Sequence, residues 1–212
     1  MKLSLYYAPT TCALVPYVNL TEAGADFDIH AINMRKGQNN SPEFLALNPQ
    51  HKVPVLLIDG APLTENVAIN TWIARQYPDA RLFPSAPMDE IRAISLIGWF
   101  GSGIHPHLAR INSPAKFCDA PGSADSVRAQ AAKALDENFA IADKRLAGRE
   151  FFFDHYTAPD VYFYWCLRRA TQFELPVKKF GHCMAHFERM EQRASVKNVL
   201  AFEKATLDRF AA

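Results

Sequence analysis

The chain has 212 residues with 23 Lys and Arg against 22 Asp and Glu, a formal net charge of +1 that gives no reason to expect a nucleic-acid or acidic partner. Apolar residues make up 49% and charged residues 21%, with no repeat or low-complexity segment, which fits a globular chain of one large or two small domains. The cysteines Cys12, Cys118, Cys166 and Cys183 show neither CxxC nor metal-ligand spacing, so free thiols and no metal are expected.

Lys2-Leu3-Ser4-Leu5-Tyr6-Tyr7 alternates polar and apolar residues and predicts a strand. Ala8-Pro9-Thr10-Thr11 breaks it, and a helix is expected over about 12–23, since Pro16 is tolerated only near a helix start. Pro9, Thr10, Thr11 and Pro16 also interrupt the apolar run that a signal peptide would need. No stretch nears the ~18 apolar residues that span a bilayer, so a cytoplasmic protein without a membrane partner is expected. The order is strand, tight loop, helix, with the Cys12 thiol at the helix entrance. A helix N-terminus offers unpaired N–H groups and partial positive charge. Such a place can lower a thiol pKa from ~8.5 to between ~3.5 and ~7.5. Cys12 is therefore a candidate thiolate or the neighbour of another thiolate; the alternative is a small buried residue that opens a helix.

A second strand is expected over 27–31, a loop over 34–41 and a short helix over 42–47. Val55 to Ile58 forms an apolar strand, Asp59-Gly60 is a hairpin signal, and Pro62-Leu63-Thr64 is the return strand. Glu65-Asn66 opens a helix to about Tyr77. The proline-rich stretch 77–88 reads as a linker, and no strand is expected beyond it. Helices are expected over 89–100, 125–146, about 178–192 and about 196–209. Gly98, Gly101 and Gly103 suggest close approach to another helix or an open wall beside a pocket, and His105-Pro106-His107 must kink or end the first of these helices. Thr157-Ala158-Pro159-Asp160 is a capping signature, and the helix behind it, apolar on all sides, should be the buried centre of the second half.

This order, β-α-β-α-β-β-α followed by a linker and an all-helical region, resembles the cytosolic glutathione transferases. Val53-Pro54 is similar to the family's Val-Pro in a cis peptide bond, Glu65-Asn66 to its acid-plus-polar pair, and Thr157 to Asp160 to its helix-capping box. Pro9-Thr10-Thr11-Cys12-Ala13-Leu14 is most similar to the Pro-x-x-Cys-Ser-Leu pattern of the bacterial beta class, and His105 falls where that class has a histidine facing the thiol. The resemblance implies an α/β plus all-α fold: a thioredoxin-like glutathione-binding domain over 1–78, a linker over 79–88 and an all-helical domain over 89–212 that holds the electrophile pocket.

It further implies a glutathione-dependent transferase that conjugates or exchanges the glutathione sulfur with apolar electrophiles or disulfides, with glutathione as co-substrate and a homodimer as the assembly. Cys12 and His105 would act near the sulfur. Val53 and Pro54 would pair with the ligand's cysteinyl backbone, Glu65 with its ammonium, Asn66 with its γ-glutamyl carboxylate, and Lys36 and Lys52 with its glycyl carboxylate. Tyr7, Thr10 and Thr11 are the reserve donors to the sulfur. Ala13 departs from the class serine and removes one hydroxyl from that sulfur, so disulfide reduction through Cys12 is expected to exceed conjugation of aryl halides. The rival readings are a non-catalytic ligand-binding protein of the same fold, or a specialised isomerase, dehalogenase or lyase.

Overall fold

The structure is a computed structural model and describes residues 1–211. It contains two compact units, one formed by Met1–Phe83 together with the segment from Gln192 onward, the other by Pro84–Glu191.

The first unit begins β1 (Leu3–Tyr7), α1 (Leu14–Glu22), β2 (Asp28–Ala31), then two 3₁₀ turns (Met34–Lys36 and Gln38–Asn40). It continues α2 (Pro42–Leu47), β3 (Val55–Ile58), β4 (Ala61–Thr64) and α3 (Asn66–Gln76). The α1 crossover lets β2 lie parallel to β1, while β3 runs antiparallel with Leu5 opposite Leu56. The strand order is β2-β1-β3-β4. Asp59 and Gly60, with φ of 49° and 88°, turn the β3–β4 hairpin with the left-handed geometry that a two-residue loop requires. The alternation that predicted β1 places Leu3, Leu5 and Tyr7 in the core, where α1 supplies Leu14 and Val18, β3 supplies Val55 and Leu56, and α3 supplies Ile69 and Ile73.

The second unit is helical: α4 (Pro87–Trp99), a π turn (Phe100–Ile104), α5 (His105–Asn112), α6 (Ala124–Leu146), α7 (Ala158–Gln172) and α8 (Gly181–Gln192). Its centre is α7, buried from Ala158 through Leu167. Asp160 starts that helix by accepting from the Thr157 backbone and hydroxyl (2.8 Å each), the Phe152 N–H (3.0 Å) and His186 Nε2 (3.0 Å). None of the described helices is long and apolar enough to cross a membrane.

One feature differs from the sequence expectation, and two choose between alternatives it left open. The final helix, α9 (Ala194–Ala211), belongs to the first unit rather than the helical one. Its entry is fixed by Arg193, whose Nε and Nη2 donate to the two Glu22 oxygens at 2.9 and 2.7 Å, and by Ser195, whose hydroxyl donates to the same carboxylate. Second, at His105-Pro106-His107 the chain takes the kink rather than the end, α4 giving way to a π turn and α5 starting at His105. It stays helical through the π turn, because Pro106 falls in the first turn of α5, where its missing N–H breaks no helical bond. Third, a Cβ on Gly98 would meet nothing within 4 Å, so that glycine opens a wall rather than allowing close packing within the chain.

Candidate functional site

The loop after β1 is tied down locally. Thr11 donates to the Ala8 carbonyl through its N–H (3.3 Å) and its hydroxyl (2.7 Å), and that hydroxyl accepts from the Ala13 N–H at 3.3 Å. The Leu14 and Val15 N–H groups bond back to the Thr11 and Cys12 carbonyls at 3.2 and 3.1 Å. The first α-helical residue is therefore Leu14, two positions later than expected, and the N–H groups of Ala13, Leu14 and Val15 are used within the turn, while that of Cys12 remains toward its own thiol.

This changes the reading of Cys12. Its side chain is 7% exposed, and its S–H donates to the Val53 carbonyl across a long 3.8 Å. A thiol facing an acceptor in a dry place is stabilised as a neutral group. Burial pushes its pKa up from 9.0 to about 12, against the opposing pull of Asn66 and Lys52 and with a small addition from Glu65. The expected helix-end thiolate is thus replaced by a protonated thiol.

Val53 and Pro54 stand on the other side of that contact, joined by a cis peptide bond. Asn66 is buried at the start of α3, and its amide donates to the Cys12 carbonyl at 3.3 Å. Asn70 donates to the Asn66 carbonyl (2.7 Å) and side-chain oxygen (3.3 Å), and Asn19 of α1 donates to Asn70 Oδ1 at 2.7 Å. Three amides thus hold the Cys12 backbone at a fixed depth between α1 and α3. Glu65 precedes this ladder with φ of 69°, a left-handed conformation costing a non-glycine residue about 1–3 kcal/mol. Its carboxylate makes no capping bond to α3 and is exposed. Lys52 is exposed beside the same segment. Lys36 lies on the preceding turn, also exposed. That region is joined to the Lys52 segment by Asn39, which donates to the His51 carbonyl at 3.0 Å, and by Asn40, 2.8 Å from His51 Nδ1. The first unit therefore gathers Cys12, Val53, Pro54, Glu65, Asn66 and Lys52 in one place, with Lys36 on a neighbouring turn.

Of the reserve donors, the Tyr7 and Thr11 hydroxyls are engaged elsewhere, and Thr10 is held by its backbone. Tyr7 is fully buried and donates its hydroxyl to Glu203 Oε2 at 3.0 Å. The same oxygen accepts from the Thr10 N–H at 2.6 Å, holding that residue at φ 64°. The Thr11 hydroxyl closes the loop. Glu203, 3% exposed on α9, was not anticipated. Its signal lay in a charged residue on a stripe otherwise made of Val196, Val199 and Thr206.

His105, in the second unit, is the first residue of α5. Its Nδ1 lies 3.1 Å from the Tyr162 hydroxyl, and its ring meets that of Trp165 edge-on at 4.5 Å. His107 Nδ1 is buried without a hydrogen-bond partner, and burial, then Arg110, holds that ring below the usual histidine range. Phe100 and Trp165 are core residues, whereas Phe117 is 47% exposed. Among the described residues no group of three His, Cys, Asp or Glu is placed to hold a metal.

Residues 1–75 match the family model described as glutathione S-transferase, N-terminal domain. Over 212 residues the chain is 33% identical to glutathione S-transferase GstA of Escherichia coli O157:H7, spanning 95% of this chain and 98% of that relative. A sphingomonad glutathione S-transferase solved with glutathione superposes with a TM-score of 0.83 at 30% identity, over 95% of this chain and 98% of the other. The beta class enzyme of Sphingomonas chungbukensis superposes with a TM-score of 0.83 at 30% identity, over 94% and 98%. A full-length match at this identity, on a fold that places a cis-proline beside a cysteine, shows that the chain belongs to the glutathione S-transferase family, with the bacterial beta class among its structural neighbours.

Proposed function

We propose that this protein binds glutathione on its first unit and transfers the glutathione sulfur to an apolar electrophile, working as a homodimer in the cytoplasm. The observation that carries the reading is the convergence on Cys12 of the cis Val53–Pro54 bond and the strained, uncapped Glu65 at the head of α3. Glutathione carries an ammonium, two carboxylates and a thiol. Its cysteinyl backbone pairs with Val53 as one added strand. Glu65 takes the ammonium, and the N-terminus of α3 at Asn66 takes the γ-glutamyl carboxylate. Lys36 and Lys52 offset the glycyl carboxylate.

Cys12 then acts as a donor. When a ligand N–H occupies the Val53 carbonyl, the thiol loses its acceptor and turns its S–H to the glutathione sulfur. A hydrogen bond to a charged group is worth ~1.5–3 kcal/mol, or roughly ten- to a hundredfold in favour of the anion. The glutathione S–H gives up its proton to solvent water, the sulfur anion attacks the electrophilic carbon and forms the C–S bond, and the bond to the leaving group breaks as that group departs with its electron pair. His105, assigned to this sulfur by the family resemblance, supplies a further donor. A neutral Cys12 is a poor nucleophile. This favours conjugation over exchange through a Cys12–glutathione mixed disulfide, the reverse of the sequence expectation.

Calorimetry on Glu65→Ala tests the grip. Because Glu65 is exposed, its loss should weaken glutathione binding about tenfold, less than a buried pair would. Wild-type affinity in this variant would remove Glu65 from the site. Rates with an aryl halide and with a glutathione mixed disulfide, in wild type and Cys12→Ala, test the chemistry. Disulfide reduction abolished in Cys12→Ala while conjugation is untouched would restore Cys12 as the nucleophile.

A further inference from the structure

The π turn Phe100–Ile104 lies directly before His105. Such turns are rare and recur at functional sites, because one extra residue per turn re-aims the side chains beyond it. Two glycines let this one close. A Cβ on Gly103 would lie 2.7 Å from Trp99 Cδ1 and 3.3 Å from Asn138 Oδ1, where the Trp99 N–H already donates to Asn138 at 2.7 Å. A Cβ on Gly101 would lie 3.4 Å from the Tyr162 hydroxyl and 3.8 Å from its Cε1. Tyr162 is 2% exposed and packs against Phe100 and Trp165. Its hydroxyl therefore occupies the space that Gly101 leaves, 3.1 Å from His105 Nδ1.

We propose that Tyr162, seated over Gly101 of the π turn, is a positioning residue that donates its hydroxyl proton to His105 Nδ1 and so fixes the imidazole as the Nε2–H tautomer. The proposal rests on the role given above to His105 at the glutathione sulfur. A neutral imidazole has one donor and one acceptor nitrogen, and the partner of one nitrogen decides the state of the other. A phenol on Nδ1 leaves the proton on Nε2, and a sulfur anion is stabilised by a donor rather than by a lone pair. Trp165, edge-on to the same ring, limits its rotation. Loss of the phenol oxygen would leave the ring packed but free to exchange tautomers.

The test uses the full chain, labelled with ¹⁵N at histidine. Above the ring's titration, wild type should show the Nε2–H signature at His105, and Tyr162→Phe a mixture of both tautomers. Tyr162→Phe should also lower kcat with an aryl halide roughly tenfold, with KM for glutathione within about twofold of wild type. Gly101→Ala would put its Cβ in ordinary contact with the hydroxyl at 3.4 Å and should leave both readouts near wild type. An Nδ1–H signature in wild type overturns the proposal without any variant, as does an unchanged tautomer in Tyr162→Phe. Full kcat in His105→Ala would instead remove His105 from the reaction, and the tautomer shift would then report the Tyr162 contact alone.

Discussion

Cys12 and Cys118 face opposite surroundings, and their chemistry should differ accordingly. Cys12 is buried with a carbonyl acceptor, and its pKa is pushed up to about 12. Cys118 is partly exposed, and the Ser123 hydroxyl and the Ala120 backbone hold its thiol below the ordinary value. Thiolate fraction governs alkylation. Iodoacetamide at pH 8 should therefore modify Cys118 first and leave Cys12 untouched, as read by peptide mapping. A Cys12 rate near that of an unhindered thiol would contradict the neutral-donor assignment. The same burial links the residue to alkaline stability. The folded state keeps a proton that the unfolded chain releases near pH 9, so the contribution is complete below that pH and is lost as pH climbs toward about 12. Cys12→Ala should flatten that slope in denaturation midpoints taken from pH 8.5 to 10.5; an unchanged slope would place the sensitivity elsewhere.

At the scale of elements, α9 is the piece whose role the sequence hid. Glu203 reaches from it to Tyr7 at the end of β1 and to Thr10 in the loop before Cys12. Glu203→Ala should lower stability by about 1–3 kcal/mol, because it removes the buried acceptor of both donors, while Glu203→Gln keeps an oxygen and should fall between. Thermal denaturation gives the order; an alanine variant as stable as wild type would make the contact incidental. The local signals were legible: the alternation of β1, the Val53-Pro54 pair, the hairpin Asp59-Gly60 and the Thr157–Asp160 capping box all appear where their chemistry puts them. What escaped was set by partners far away in sequence. Glu203 stands 196 residues from Tyr7, and the acceptor of the Cys12 thiol is 41 residues downstream. The π turn escaped for another reason. Phe100–Ile104 has no periodicity of its own, and its glycines find their purpose only against Trp99 and Tyr162.

At the scale of the whole molecule, the basis of the proposed homodimer shifts from Gly101 toward Gly98 and the exposed head of α4. Gly101 meets Tyr162 of its own chain and no longer supports close approach of a second copy; Gly98 faces open space and permits it, but a glycine supplies no apolar surface to bury. Met88 and Ile91 at the head of α4 do, being 61% and 55% exposed. Sedimentation should give a dimer at micromolar concentration, and Ile91→Lys should shift it toward monomer; a wild-type monomer would sink the assignment. The placement of α9 has one more consequence, and it concerns biosynthesis. The Thr10 loop leaves the ribosome before the helical unit, whereas Glu203, its fastening, is translated 193 residues later, after the whole helical unit. Domains of a nascent chain generally fold in order of emergence. Here the first unit is discontinuous, so the helical unit can finish before its predecessor does. The proposed glutathione site is therefore completed only after the helical unit, and a chain stalled short of α9 carries Cys12 with its loop unfastened.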